Sequence, residues 1–121
     1  MEKRIRSFQY AGRGIKKAFS SEANLKIHLT IALLVIVFGT YLSISLIEWI
    51  LCLLCFGMVI GMEMMNTAIE KTVDLASPNL HPLAGSAKDI AAGGVLICAV
   101  IAAIIGLLIF IPKLLAHFNL L

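Results

Sequence analysis

The segment that decides the fold is residues 90–112, IAAGGVLICAVIAAIIGLLIFIP, which has 23 residues and no charged side chain. A helix needs about 20 mostly apolar residues to cross the hydrocarbon core of a bilayer. A second uncharged run covers residues 29–47 and has 19 residues. Both runs predict transmembrane helices, so the sequence indicates an all-α membrane protein.

The composition of the whole chain agrees with this interpretation. The 121 residues are 60% hydrophobic and 14% charged, with a mean hydropathy of +0.99, whereas about a quarter of the residues of a soluble domain are charged. Too few polar side chains remain to cover a water-soluble globule, and a disordered chain is excluded as well. We therefore expect a single integral membrane domain over residues 1–121, with no nucleic acid among its partners.

A third span is predicted in the middle of the chain, over about residues 48–72. Only residues 49–62 are uncharged, but the apolar pattern continues past Glu63 to Ile69. The chain is then expected to cross the bilayer three times, and the first and last spans cover about 28–47 and 88–111.

Basic residues indicate the orientation of these spans. Seven of the ten Lys and Arg lie in residues 1–26, and the positive-inside rule places such a segment in the cytoplasm. Three crossings then put the C-terminus outside.

Within that segment, about residues 6–20 predict an amphipathic surface helix that lies on the inner leaflet. Phe8 and Ile15 share its apolar face, and anionic head groups attract its basic face. Ser20 and Ser21 are expected to break this helix and cap the next one.

Acidic and amide side chains share one face of the middle span. Glu63, Asn66, Glu70 and Asp74 are spaced by three, four and four residues, which places them within about 80° of one another around a helix. Glu63 lies roughly 22 Å along the axis from Glu48, inside a hydrocarbon core about 30 Å thick. A carboxylate at that depth costs at least about 2.5 kcal/mol, so it is a functional candidate.

Three functions are compatible with this acidic stripe. Carboxylates near the cytoplasmic surface suit Mg²⁺ and its phosphates, a deeper carboxylate suits a general base, and Lys88 is placed to face a phosphate, which together favour phosphoryl transfer. The same groups suit a cation or proton pathway through a small membrane subunit. A polar clamp between helices of a structural subunit needs no chemistry at all. Spacing alone does not choose between them.

A resemblance to a known family favours the first function. Residues 63–70, EMMNTAIE, followed by Asp74 and by residues 87–89, AKD, closely resemble the small bacterial membrane lipid kinases of the prokaryotic diacylglycerol kinase and undecaprenol kinase family. The similarity covers about residues 7–110. It implies ATP-dependent phosphorylation of a lipid alcohol in the bacterial cytoplasmic membrane by a homotrimer, whose active sites are shared between neighbouring subunits at the cytoplasmic surface.

The resemblance also implies roles for individual residues. Glu63 would be the general base that takes the proton from the lipid hydroxyl, and Asn66 would orient Glu63 or the acceptor. Glu22 and Glu70 would hold Mg²⁺ on the ATP phosphates, while Lys88 would neutralise the transferred phosphate. The implied nucleotide contacts are Tyr10, Asn79, His81 and Asp89, and Lys3 with the basic surface helix is a further candidate for nucleotide and lipid contact.

Two further patterns bear on the substrate and on assembly. Residues 22–28 are EANLKIH, a form that resembles the Gram-positive-type undecaprenol kinases, where the diacylglycerol branch tends to have EAAFRQE. The resemblance therefore implies conversion of undecaprenol to undecaprenyl phosphate, with diacylglycerol and its product phosphatidic acid as the alternative. On the last span, two small-xxx-small pairs predict close contact with another helix, and these pairs are Ala99 with Ala103 and Ala102 with Gly106.

Overall fold

The structure is a computed structural model that describes residues 1–120, and its regular structure is entirely helical. Helix α1 covers Glu2–Ser21, α2 covers Ala23–Tyr41, α3 covers Leu46–Ala76 and α4 covers Pro82–His117. Helices α2, α3 and α4 are each long and apolar enough to span a membrane. The expectation of an all-helical chain with three such helices is confirmed.

Helices α3 and α4 form the main packing interface of the molecule, α2 packs on α3, and α1 contacts both α2 and α3. Ion pairs join α3 and α4 at both of their ends. Lys88, near the start of α4, pairs with Asp74 near the end of α3, and the Lys113 Nζ atom lies 3.3 Å from Glu48 Oε2 at the other end. The two helices therefore run antiparallel over most of their length.

A capping box begins α3. The Ser45 Oγ accepts a hydrogen bond from the Glu48 backbone N–H at 3.2 Å, and the Glu48 Oε2 accepts one from the Ser45 N–H at 2.6 Å. These bonds satisfy two of the N–H groups that a helix start leaves unpaired. Glu48 consequently binds both the start of its own helix and Lys113 of α4.

The break between α1 and α2 differs from the expectation. Ser20 and Ser21 both belong to α1, and the extended residue is Glu22, with φ −106° and ψ 117°. The predicted serine cap is wrong because both hydroxyls bond elsewhere. Ser20 Oγ donates to the Lys17 carbonyl at 2.9 Å, and Ser21 Oγ donates to Glu22 Oε1 at 3.2 Å.

The helix ends also differ from the expected spans. Helix α2 ends at Tyr41 and α3 begins at Leu46, so the uncharged run 29–47 contains the turn that connects them. Ser43 in this turn has a positive φ of 50°. Two of the four turn residues, Leu42 and Ile44, are apolar, so hydropathy alone does not set the helix ends.

Candidate active site

The buried polar side chains of residues 1–120 all lie on one face of α3. They are Glu63, which is 3% exposed, with Asn66 and Thr67 on the next turn. The residue spacing of three and four puts them side by side on the helix surface. The sequence predicted Glu63 and Asn66 as site residues and missed Thr67, whose position four residues after Glu63 was the available signal.

Asn66 uses only part of its hydrogen-bonding capacity. Its Nδ2 donates to Glu70 Oε1 at 3.4 Å, which joins two of the predicted site residues. Its Oδ1 is buried and has no hydrogen-bond partner. A buried acceptor left unpaired costs about 1–3 kcal/mol, so this oxygen favours a donor that comes from outside the single chain.

The predicted Mg²⁺ ligands lie on separate elements. Glu22 is half-buried at the break between α1 and α2, and Glu70 is half-buried on α3. Within residues 1–120, no three His, Cys, Asp or Glu side chains are grouped so as to hold a metal ion. Mg²⁺ in nucleotide sites is commonly held by one or two carboxylates together with substrate phosphates. The oxygen chemistry of the two carboxylates suits an ion of this kind.

A second group of predicted residues lines a cavity of about 400 Å³ where α3 ends and α4 begins. Asn79, His81 and Lys88 all lie on its wall, together with Asp74 and Ser77. The Nδ1 of His81 accepts a hydrogen bond from the Leu83 N–H at 3.1 Å and caps α4. The Nε2 of His81 is therefore the ring nitrogen left for a ligand.

Lys88 is held at the wall of this loop cavity by Asp74. The two side chains are 39% and 65% exposed, and exposed ion pairs contribute only about 0–1 kcal/mol. Such a pair opens at little cost when a more highly charged anion competes for the lysine.

The remaining predicted residues lie apart from both groups in the single chain. Tyr10 is 63% exposed on α1, with the Arg13 guanidinium 5.7 Å from its ring centroid. Asp89 and Lys3 are also exposed, and none of these three lines the loop cavity.

Comparison with known proteins shows the family of this chain. The profile of the family named "Prokaryotic diacylglycerol kinase" matches residues 9–110, most of the chain. The chain belongs to this family. The buried carboxylate face of α3 and the loop cavity both lie within the matched range.

The relatives of this member of the prokaryotic diacylglycerol kinase family are named for two activities. The chain is 48% identical to undecaprenol kinase of Bacillus subtilis (strain 168) over 110 residues, which cover 91% of this chain and 89% of the relative. It is 38% identical to diacylglycerol kinase of Synechocystis over 111 residues, which cover 91% of this chain and 63% of the relative. It is 31% identical to diacylglycerol kinase of Escherichia coli (strain K12) over 100 residues, which cover 83% of this chain and 82% of the relative. The predicted family and lipid kinase activity are thereby confirmed.

Proposed function

We propose that this protein phosphorylates undecaprenol with Mg-ATP at the cytoplasmic surface of the bacterial cell membrane. The observation that carries the proposal is the buried carboxylate of Glu63 beside the unpaired Oδ1 of Asn66, in a chain 48% identical to an undecaprenol kinase. Diacylglycerol, the substrate in the names of the other relatives, is the second candidate.

In the proposed reaction, Glu63 takes the proton from the hydroxyl of the lipid alcohol. The hydroxyl oxygen then bonds to the γ-phosphorus of ATP while the bond from that phosphorus to the β–γ bridging oxygen breaks, and ADP leaves. Asn66 Oδ1 accepts a hydrogen bond that orients the incoming hydroxyl. A base held within hydrogen-bond reach contributes about 10²–10⁴-fold to such a rate.

Glu22 and Glu70 would hold Mg²⁺, which neutralises charge on the ATP phosphates when it is bound. The hydrogen bond from Asn66 to Glu70 connects this ligand to the base on the same helix face. Changing Glu70 should therefore affect nucleotide binding as well as turnover.

Lys88 and the loop cavity are proposed to bind phosphate and nucleotide. Lys88 would exchange Asp74 for the transferred phosphate, because a phosphate offers more charge and more acceptor oxygens than one carboxylate. Asn79 and His81 would contact the nucleotide from the same cavity, and Tyr10 with Asp89 would contribute from neighbouring surfaces.

We propose a homotrimer with shared sites, since the predicted residues do not converge in one chain. Three thin helices do not enclose a nucleotide and a lipid by themselves, and the unpaired Asn66 Oδ1 fits a site completed from outside the chain. The N-terminus would be cytoplasmic and the C-terminus outside, with α1 on the inner leaflet. The exposed Phe8 of α1, at 81%, would enter the membrane there, with Lys3 near the head groups.

The test uses purified protein in mixed micelles with Mg-ATP and either undecaprenol or diacylglycerol. Undecaprenol should be the better substrate, and Glu63→Gln should lower turnover by about 10²–10⁴-fold with Mg-ATP binding retained. Glu70→Gln should weaken Mg-ATP binding. Glu48→Gln, the same change at the other end of α3, is the matched control and should leave turnover unchanged.

Three outcomes would contradict the proposal. A strong preference for diacylglycerol would refute undecaprenol as the substrate. Absence of lipid phosphorylation would refute the lipid kinase activity itself. Cation or proton flux that is abolished by Glu63→Gln without an effect on ATP turnover would instead support a conducting subunit.

A further inference from the structure

Helices α2, α3 and α4 enclose an apolar groove with a cavity volume of about 470 Å³. On α3 the groove runs from Cys52 to Ile60, and on α4 it runs from Ala99 to Phe110. His28 of α2 is the one ionisable side chain on its wall other than the cysteines. This apolar groove is separate from the loop cavity and contains none of the predicted site residues.

The apolar groove lies on the same face of α3 as Glu63 of the candidate active site. Its wall residues Val59, Phe56 and Cys52 precede Glu63 by four, seven and eleven residues, which is the spacing of one helix face. The groove extends about 12 Å along α3 and ends about 4.5 Å short of Glu63. One face of α3 is thus apolar toward the outer side and carboxylate-bearing toward the inner side.

We propose that this groove holds the part of a single polyprenyl tail next to the hydroxyl, so that the groove selects a one-tailed alcohol over a two-tailed glycerolipid. The inference rests on the proposed function, because it places the hydroxyl of the lipid alcohol at Glu63. A tail that leaves Glu63 toward the outer side meets the groove within one helical turn.

The size of the groove fits one chain. A cavity of 150 Å³ accepts a benzene molecule, or six carbon atoms. At the same volume per carbon atom, the groove of about 470 Å³ accepts roughly 19 carbon atoms, or between three and four isoprene units. The rest of a longer tail would continue into the bilayer. Since lipid tails are as apolar as the groove, selectivity comes from shape and packing instead of from hydrophobic transfer.

Small residues keep the α4 wall of the groove open. The two small-xxx-small pairs of the last span, Ala99 with Ala103 and Ala102 with Gly106, both lie on this wall, and a Cβ added at Gly106 would meet no atom within 4 Å. The sequence predicted these pairs as a contact with another helix. Within the single chain they border open space, so a second copy seated there is the competing occupant.

Gly106 offers a way to shorten the groove without touching the site. It precedes Lys113 by seven residues, and Lys113 pairs with Glu48, so Gly106 lies near the level of Cys55. That level is about 12 Å from Glu63 along α3. Geraniol, with two isoprene units, should end short of Gly106, whereas geranylgeraniol, with four, should pass it.

The experiment compares kcat/KM for geraniol and geranylgeraniol between the unaltered protein and its variants. In the wild type, kcat/KM should rise from geraniol to geranylgeraniol and change little from there to undecaprenol. Gly106→Leu should lower the ratio of geranylgeraniol to geraniol by roughly tenfold, because the chain no longer packs in the outer half of the groove. Gly57→Leu is the matched control, since Gly57 also has open space and lies outside the groove.

An unchanged ratio in Gly106→Leu would overturn the proposal. A uniform loss on both alcohols together with an altered oligomeric state would also overturn it and would assign the groove to a neighbouring copy.

A second measurement uses the unaltered protein. A geranylgeraniol analogue with a diazirine on its third isoprene unit should crosslink within residues 52–60 or 99–107, as mapped by mass spectrometry. Adducts found only elsewhere would refute the groove assignment. Crosslinking to the groove without any phosphorylation would support the groove as a tail-binding site and refute the proposed activity. The failure of one proposal is therefore distinguishable from the failure of the other.

Discussion

Replacing Gly39 by alanine is expected to destabilise the end of the bundle where α2 connects to α3. Gly39 is buried where α2 passes α3, and an added Cβ would lie 2.8 Å from Trp49 Cη2 and 3.0 Å from both Trp49 Cζ2 and Ile44 Cδ1. The indole is a rigid ring, so it has to move as a whole. At Gly94 the added Cβ would lie 2.7 Å from Met62 Cε, the end of a flexible side chain that moves aside easily.

The magnitude follows from this difference in stiffness. Overpacking a tight interface costs about 1–3 kcal/mol, while Gly→Ala in a helix gains up to about 1 kcal/mol from propensity at either site. The propensity gain cancels between the two variants. We therefore expect Gly39→Ala to be less stable than Gly94→Ala by about 1–3 kcal/mol.

Trp49 itself reports the effect, because it is the only tryptophan of the chain. Its emission is followed during unfolding in mixed micelles with increasing fractions of a denaturing detergent. Gly57→Ala supplies the baseline, since a Cβ there meets nothing within 4 Å. If Gly39→Ala unfolds together with Gly94→Ala and the baseline variant, the close approach of α2 to Trp49 is refuted.

Three further predictions concern the ends of α3 and α4. His81→Ala removes the acceptor that caps α4 and should lower the free energy of unfolding by about 1 kcal/mol, as measured by thermal melting. His81→Asn should restore much of this stability, because asparagine also caps helices. Equal stability of the two variants would contradict a capping role. Asp74→Asn should change the free energy of unfolding by less than about 1 kcal/mol. Lys88→Met should lower the rate of phosphoryl transfer far more than Asp74→Asn does. Equal steady-state rates of the two variants would refute the phosphate role of Lys88. Lys113→Met removes the partner of Glu48 and should lower the free energy of unfolding by about 0–1 kcal/mol, and by less in high salt. Kinase turnover should be unchanged, and a loss of turnover would mean that the start of α3 is coupled to the site.

Much of this protein was predictable from the sequence, because the deciding features are local along the chain. The uncharged run of residues 90–112 predicts a long apolar helix by itself. The spacing of Glu63, Asn66 and Glu70 places them on one face through helix geometry alone, and the structure joins Asn66 to Glu70 by a hydrogen bond. The motif around these residues was sufficient to predict the family.

The tertiary structure decided what depends on the packing of one helix against another. Asp74 and Lys88 are 14 residues apart, and Tyr41, whose hydroxyl lies 2.9 Å from His117 Nε2, is 76 residues from its partner. Neither contact follows from hydropathy, which also left the helix ends inside residues 29–47 undefined. The apolar groove is likewise a property of three helices together, because its walls consist of residues that are individually ordinary membrane side chains. Periodicity places a residue on a face, and only the relative placement of the helices determines what that face contacts.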